Sequence, residues 1–233
     1  MDSTNKQPLR LLQAEPSDAL EILELNIASF SDPYQPGFFV LYPKEEKREK
    51  GAKRMLDLWL SDPTAIYMKV VDTETGKIIS AAQWCIHKEP TAELAPVSQE
   101  MHFNCHPNAD LNNWGEEMWS FVHQEQLARL KDGGCCIIEM LATHPEHRCR
   151  GAGTMLMEWG TNIADSLRLR AFVQASDLGA KLYGSHGFVD RYNEGFVTVP
   201  VSEKHKNKPE IGWFNLERPA KAGGKIPEAK EGV

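Results

Sequence analysis

Several features that would define other classes of protein are missing from this chain of 233 residues. No apolar stretch approaches the roughly 18 residues that a membrane-spanning helix needs. The opening MDSTNKQPLRLL has no basic start followed by an apolar run, so neither a membrane protein nor a secreted precursor is expected, and a cytoplasmic setting is. The five cysteines, Cys85, Cys105, Cys135, Cys136 and Cys149, are odd in number and form no C-x-x-C pair, which fits reduced thiols. Basic residues are outnumbered, 26 Lys and Arg against 33 Asp and Glu, for a formal charge of −7. That balance argues against a partner bound along a nucleic-acid backbone. His102, Cys105 and His106 have no second cluster of metal-ligand spacing, and His144 and His147 are split by Pro145, so no metal is expected.

What is present is an ordinary globular composition, 41% hydrophobic and 25% charged, at a length one domain can accommodate. A domain is expected over residues 8–218. The tail at 219–233 holds only Ile226 and Val233 as large apolar residues and is expected to be mobile.

Leu9 to Leu12 reads as a short strand. Ser17 or Asp18 then caps a helix with Leu20, Leu23, Ile27 and Phe30 on one face. An aromatic loop from Phe30 to Tyr42 leads to a second helix bearing Met55, Leu56, Trp59 and Leu60, stopped at Ser61-Asp62-Pro63. Ile66 to Asp72 and Lys77 to His87 form a hairpin around Thr73-Glu74-Thr75-Gly76. Residues 88–131 read as an insertion ending in a helix from about Trp114 to Lys131. Cys135 to Thr143 is apolar on both faces except at Glu139, the mark of a central strand. A helix over about Gly151 to Leu167, a strand at Ala171 to Ala175, a short helix from Asp177 to His186, and strands at Phe188 to Val199 and Ile211 to Leu216 complete the pattern.

The chemistry concentrates between Ile137 and Leu156, where an apolar strand runs through a cationic loop into Arg148-Cys149-Arg150-Gly151-Ala152-Gly153 at a helix start. Unpaired amides and the helix dipole favour an anion there, and the two glycines let a phosphate approach the backbone. Arg148 and Arg150 add charge. No Lys-Ser/Thr follows the second glycine, as a mononucleotide loop requires, and Leu156 stands where a dinucleotide fingerprint has its third glycine.

The R-x-x-G-x-G pattern after such a strand resembles the pyrophosphate loop of the GNAT superfamily of acetyl-CoA-dependent N-acetyltransferases. The run Ala175-Ser176 through Gly179, Leu182-Tyr183 and Gly187-Phe188 is similar to the second half of that domain. The resemblance implies a single mixed α/β domain whose mostly antiparallel sheet is splayed at its centre and flanked by helices, here with an inserted helical segment. It implies acetyl-CoA as cosubstrate. The backbone of Leu141, Ala142 and Thr143 would then pair with the pantetheine arm, and Arg148, Cys149, Arg150, Gly151, Ala152, Gly153 and Thr154 would hold the pyrophosphate, with Ser176 beside it. Tyr183 matches the tyrosine that acts as general acid toward the cofactor sulfur. In this family the acceptor pocket is usually walled by the first helices and their loop, which implicates Phe30, Tyr34 and Phe38, together with Trp84 on the third strand. The same rings would equally serve to cover one end of the sheet.

A lysine-like amine of pKa about 10.4 is only about 0.04% neutral at pH 7, so removing its proton costs roughly 4.6 kcal/mol and calls for a base. Glu139 is the first candidate, since alternation would place it on one face with Leu141 and Thr143. His144 is the second, but it points the other way. Cys149 contributes backbone. The expected reaction is direct transfer of an acetyl group to a primary amine of a small molecule by a monomer or homodimer. Protein or peptide acetylation, and a non-catalytic acyl-CoA-binding module, are the alternatives.

Overall fold

The computed structural model describes residues 8–91, 103–131 and 133–221. The expected tail beyond Lys221 and part of the expected insertion, including His102, lie outside the described residues.

One seven-stranded sheet organises the molecule. Its strands are β1 (Leu9–Gln13), β2 (Ala65–Asp72), β3 (Ile78–His87), β4 (Cys135–Thr143), β5 (Arg170–Ala175), β6 (Phe196–Thr198) and β7 (Gly212–Arg218), in the order β1-β2-β3-β4-β5-β7-β6. Every neighbouring pair is antiparallel except β4 and β5. The helices are α1 (Ala19–Ser31), α2 (Pro36–Leu41), α3 (Arg48–Ser61), α4 (Ala109–Leu130), α5 (Ala152–Leu167) and α6 (Asp177–Ser185).

The two faces of the sheet carry separate cores. Val70, Ala82, Trp84, Cys136, Ile138 and Val173 pack with Leu156, Met157 and Ala164 of α5. On the opposite face α1 and α3 bury Leu23, Met55 and Trp59 against Tyr67 and Ala81, and Leu130 of α4 meets Cys85, Ile137 and Phe172. Both faces of β4 are therefore covered, which is why its sequence is apolar on alternate and intervening positions alike.

Two stretches differ from the pattern read in the sequence. The aromatic segment after Phe30 is not all loop: Pro36 at the first helical turn starts α2, and Phe38, Phe39 and Val40 turn into the core. The long strand expected over Phe188 to Val199 breaks after a single bridge, Val189 with Glu217, and resumes only at β6. Between them the Asp190 carboxylate accepts from the amides of Glu194 and Gly195, and Asn193 and Gly195 adopt positive φ, so the chain spends its polar groups on a turn.

β4 and β5 are paired only from Cys135–Arg170 to Ile138–Val173, whereas β3 follows β4 as far as Ser80–Thr143. Beyond Ile138, β4 thus has a strand on one side only. The β3–β4 register also shifts here: Gln83 pairs with Met140 and Trp84 with Ile138, leaving Glu139 as an extra, bulged residue.

Trp84 lies on the α5 face, fully buried, so close beneath Gly160 that a Cβ on that glycine would lie 2.1 Å from the indole. Replacing Gly160 with Ala must push helix and sheet apart, and overpacking of this kind typically costs about 1–3 kcal/mol. Gly160→Ala is expected to lower the melting temperature by roughly 3–10 °C in calorimetry; an unchanged melting temperature would show that α5 is not held against Trp84.

Candidate active site

The gap between β4 and β5 opens into a cavity of about 900 Å³ that runs from the loop before α5 to the end of α3. Its lining includes Glu139, Leu141, Ala142, Thr143, Arg148, Cys149, Gly151, Ala152, Gly153, Thr154, Ser176 and Tyr183. The strand end, the phosphate-type loop and the short helix are thereby brought to one place.

At the loop, Gly151 caps α5 with φ +94°, and Cys149 two residues earlier is also left-handed at +60°. A non-glycine residue with positive φ carries strain, and alternating left-handed residues are the backbone shape from which anion-binding turns are built. The first-turn amides of α5 add their unpaired donors and the positive end of the helix. This cradle fits a pyrophosphate. The one-sided edge of β4 fits the extended arm of the same molecule, because an unpaired strand offers its amides and carbonyls to whatever lies alongside.

The two arginines of the loop divide the work differently from the expectation. Arg148 lines the cavity, and its Nη2 donates to the carbonyl of Ser29 at 3.1 Å and to that of Asp32, capping the end of α1. Arg150 turns away from the cavity: its Nη2 donates to Asp72 Oδ2 at 2.8 Å. Asp72 is buried, and its other oxygen accepts from Glu74 and Thr75 in the β2–β3 turn, so one carboxylate ties that hairpin to the loop. The Arg150 bond holds the Asp72 carboxyl below its usual pKa. Arg150 thus supports the loop through its side chain, and its guanidinium is not placed for the cofactor.

Among the described residues, His144, Glu146 and His147 form the one group with ligand-type atoms mutually within 4.8 Å. His144 Nδ1 accepts the Glu146 amide at 3.3 Å, and His147 Nδ1 lies 2.7 Å from Arg150 Nη1, which can only donate. A metal taking Nδ1 of either ring would have to displace the bond made there. The cluster orders the loop.

Glu139 is the chemical centre of the cavity. The bulge turns it off the face that alternation assigned it: Leu141 packs toward the α5 core and Thr143 bonds Ser80, while Glu139 Oε2 accepts from Gln126 of α4 at 3.1 Å. Burial raises its pKa from the ordinary 4.5 to about 7, opposed by the Gln126 bond and assisted by the charge of Asp62. Tyr183 is buried at the cavity wall, and burial pushes its phenol above the usual value, so it stays protonated.

Phe30 and Phe38 line the cavity and stack at 4.7 Å. Tyr34 does not: it is more than half exposed, stacked on Phe39 with Lys44 above it, on the outer surface. Trp84 does not either, since it faces α5. The missed residues come chiefly from α4, where Met118, Trp119, His123 and Gln126 roof the cavity, and from Asp62, Tyr67 and Gln83 across its floor. Tyr67 donates to Gln83 at 2.7 Å, and burial lowers the His123 pKa to about 4, leaving it neutral at pH 7.

The GNAT acetyltransferase family model matches residues 21–188. The chain belongs to that family of acetyl-CoA-using acetyltransferases. Curated protein sequences contain no match to it. Among solved structures it is similar to a Corynebacterium glutamicum protein described as histone acetyltransferase HPA2 and related acetyltransferase, at 17% identity and TM-score 0.53, covering 92% of this chain and 97% of that one. It is also similar to agmatine N-acetyltransferase, at 13% identity and TM-score 0.58, covering 90% and 98%. At such identities the likeness is one of fold. No helix among the described residues is long and apolar enough to cross a membrane.

Glu139→Gln keeps the shape and removes the charge. Because folding raises this pKa from 4.5 to about 7, the unfolded chain releases the proton first, and the wild type loses stability as pH rises across that interval. The variant is expected to melt a few degrees above the wild type at pH 8, the gap closing toward pH 4.5. Equal melting at both pH values would refute a carboxylate held at raised pKa.

Proposed function

We propose that this chain transfers an acetyl group from acetyl-CoA to a primary amine of a small molecule, by direct attack in a ternary complex. The observation that carries this reading is a single cavity that joins a buried carboxylate, an unpaired strand edge and a phosphate cradle in that order along β4 and its following loop.

Arg148 and the backbone from Cys149 to Thr154 would hold the pyrophosphate, with Ser176 at the start of α6 beside them. Leu141, Ala142 and Thr143 would hold the pantetheine arm through their main chain. Bound there, acetyl-CoA supplies the activated acetyl group as a thioester. Glu139 takes the proton from the attacking amine, directly or through a water. With a pKa of about 7 in place of 4.5, it faces an amine of about 10.4 across a gap of roughly 3.4 units, some 3 kcal/mol less uphill than for an ordinary carboxylate. Tyr183 donates its phenolic proton toward the sulfur as it leaves, and its burial keeps that proton in place until then.

Cys149 lies in the phosphate cradle and away from the strand edge, so its thiol has no part in the transfer. The roof supplied by α4 and by Ile211 and Trp213 favours a small acceptor over a peptide, which would need an open groove.

Titration calorimetry with acetyl-CoA, CoA, ATP and NAD tests the reading. The first two are expected to bind and the last two not, and Gly151→Val, which cannot hold φ +94° without strain, should abolish that binding. Binding of neither CoA species would overturn it. Thiol release with an amine acceptor should fall by roughly 10² in Tyr183→Phe with cofactor affinity nearly intact, and the acid limb of the rate profile near pH 7 should disappear in Glu139→Gln. A full rate in Tyr183→Phe would remove that residue from the mechanism.

A further inference from the structure

The cavity continues past Glu139, away from the phosphate loop. Along the paired strands β3 and β4 the register runs from Ser80–Thr143, beside the loop, through Gln83–Met140 to Cys85–Ile137 and His87–Cys135. Gln83, Cys85 and His87 all line the cavity, as does Asp62 at the end of α3. Asp62 Oδ2 accepts from the Cys85 thiol at 3.5 Å, while its Oδ1 holds the amide and hydroxyl of Thr64. Cys85 is level with Ile137, two positions before Glu139, so Asp62 lies beyond Glu139 on the side away from the phosphate loop.

Charge is distributed unevenly along this path. Among the described residues that line the cavity, the Lys and Arg side chains are Arg148 and Lys181, both beside the phosphate loop, the first in it and the second in α6 next to Leu182, which touches Gly153. Of the four carboxylates that line the cavity, Asp177 and Glu210 are exposed, whereas Glu139 and Asp62 are not, and the imidazoles His87 and His123 are driven toward the neutral form by burial. The partners of Glu139 and Asp62, namely Gln126, the Cys85 thiol and the amide and hydroxyl of Thr64, are all neutral, so neither carboxylate has a cationic side chain bonded to it among the described residues. The walls between are the rings of Phe38, Tyr42, Tyr67 and Trp119, whose faces tolerate a cation. An acceptor bearing a carboxylate or phosphate would place a third anion here without a partner.

Building on the acetyl-transfer reading, we propose that the acceptor is a small amine carrying a second cationic group, ammonium or guanidinium, and that Asp62 is the residue that reads that distal charge. Glu139 receives the proton of the reacting nitrogen, while Asp62 fixes the far end and so sets the length of the molecule. A charge-assisted hydrogen bond of this kind distinguishes a dication from its monocationic analogue by roughly 10- to 100-fold.

Three probes of equal chain length decide it: cadaverine, pentylamine and δ-aminovalerate, titrated calorimetrically into the protein saturated with CoA. Cadaverine is expected to bind at least tenfold more tightly than pentylamine, and δ-aminovalerate most weakly. In Asp62→Asn, which keeps the oxygen that Thr64 needs, the ratio of cadaverine to pentylamine affinity should fall toward one. Equal binding of the two amines by the wild type, or a preference that survives in Asp62→Asn, overturns the proposal, as does the absence of amine binding altogether. These outcomes are separate from the failure of acetyl transfer: a protein that binds CoA and cadaverine selectively yet releases no thiol would lose the catalytic reading and keep this one.

Discussion

The structure depends on one interrupted strand pairing. β4 is held by β3 along its length but by β5 over only four residues, and the cavity opens in the resulting wedge. A fully paired β4 would bury its amides and carbonyls in the sheet, leaving no polar edge for a ligand. The bulge at Glu139 falls at the point of separation, where a residue without a strand partner can turn its side chain out of the regular alternation. A carboxylate in the middle of an apolar strand is thus accommodated by the same irregularity that opens the cleft.

Several ties keep the wedge from closing or drifting. Asp72 joins the β2–β3 turn to Arg150, and Arg148 joins the loop to the end of α1, so the phosphate cradle is braced from both sides of the strand that feeds it. At the other margin, Arg218 at the end of β7 makes a bidentate pair with Asp165 of α5 at 2.6 and 2.9 Å. On the roof, buried His205 bridges Asp110 and Glu117 of α4, fastening the β6–β7 connection to that helix. These partners lie far apart in sequence. The strain at Cys149 is held by a frame of this kind.

Legibility in the sequence followed the range of the interaction. Strands β1 to β5, the hairpin turn and helix α5 could be read because apolar periodicity and turn chemistry act over a few residues. Glu139 stood out as a charge in an apolar strand, and Arg148 to Gly153 as a glycine-rich helix start. Trp84 was misplaced because β3 is apolar on both faces, so alternation says that its neighbours oppose one another without saying which face is which. Tyr34 was misplaced because an aromatic segment does not announce that α2 will turn two of its rings inward and leave a third outside. Asp62 read only as a helix stop, and Gln126 and His123 only as polar positions on a long helix.

The sequence by itself determined most of the elements and the family, since each rests on residues that are neighbours along the chain. Tertiary structure alone decided that Arg150 faces Asp72, that the bulge turns Glu139 toward α4, and that Asp62 after α3 and Gln126 of α4 line the same cavity as Glu139. The physical reason is that pKa, burial and cavity shape are set by what is packed opposite a side chain. Those partners come from segments whose own sequences carry no mark of the encounter.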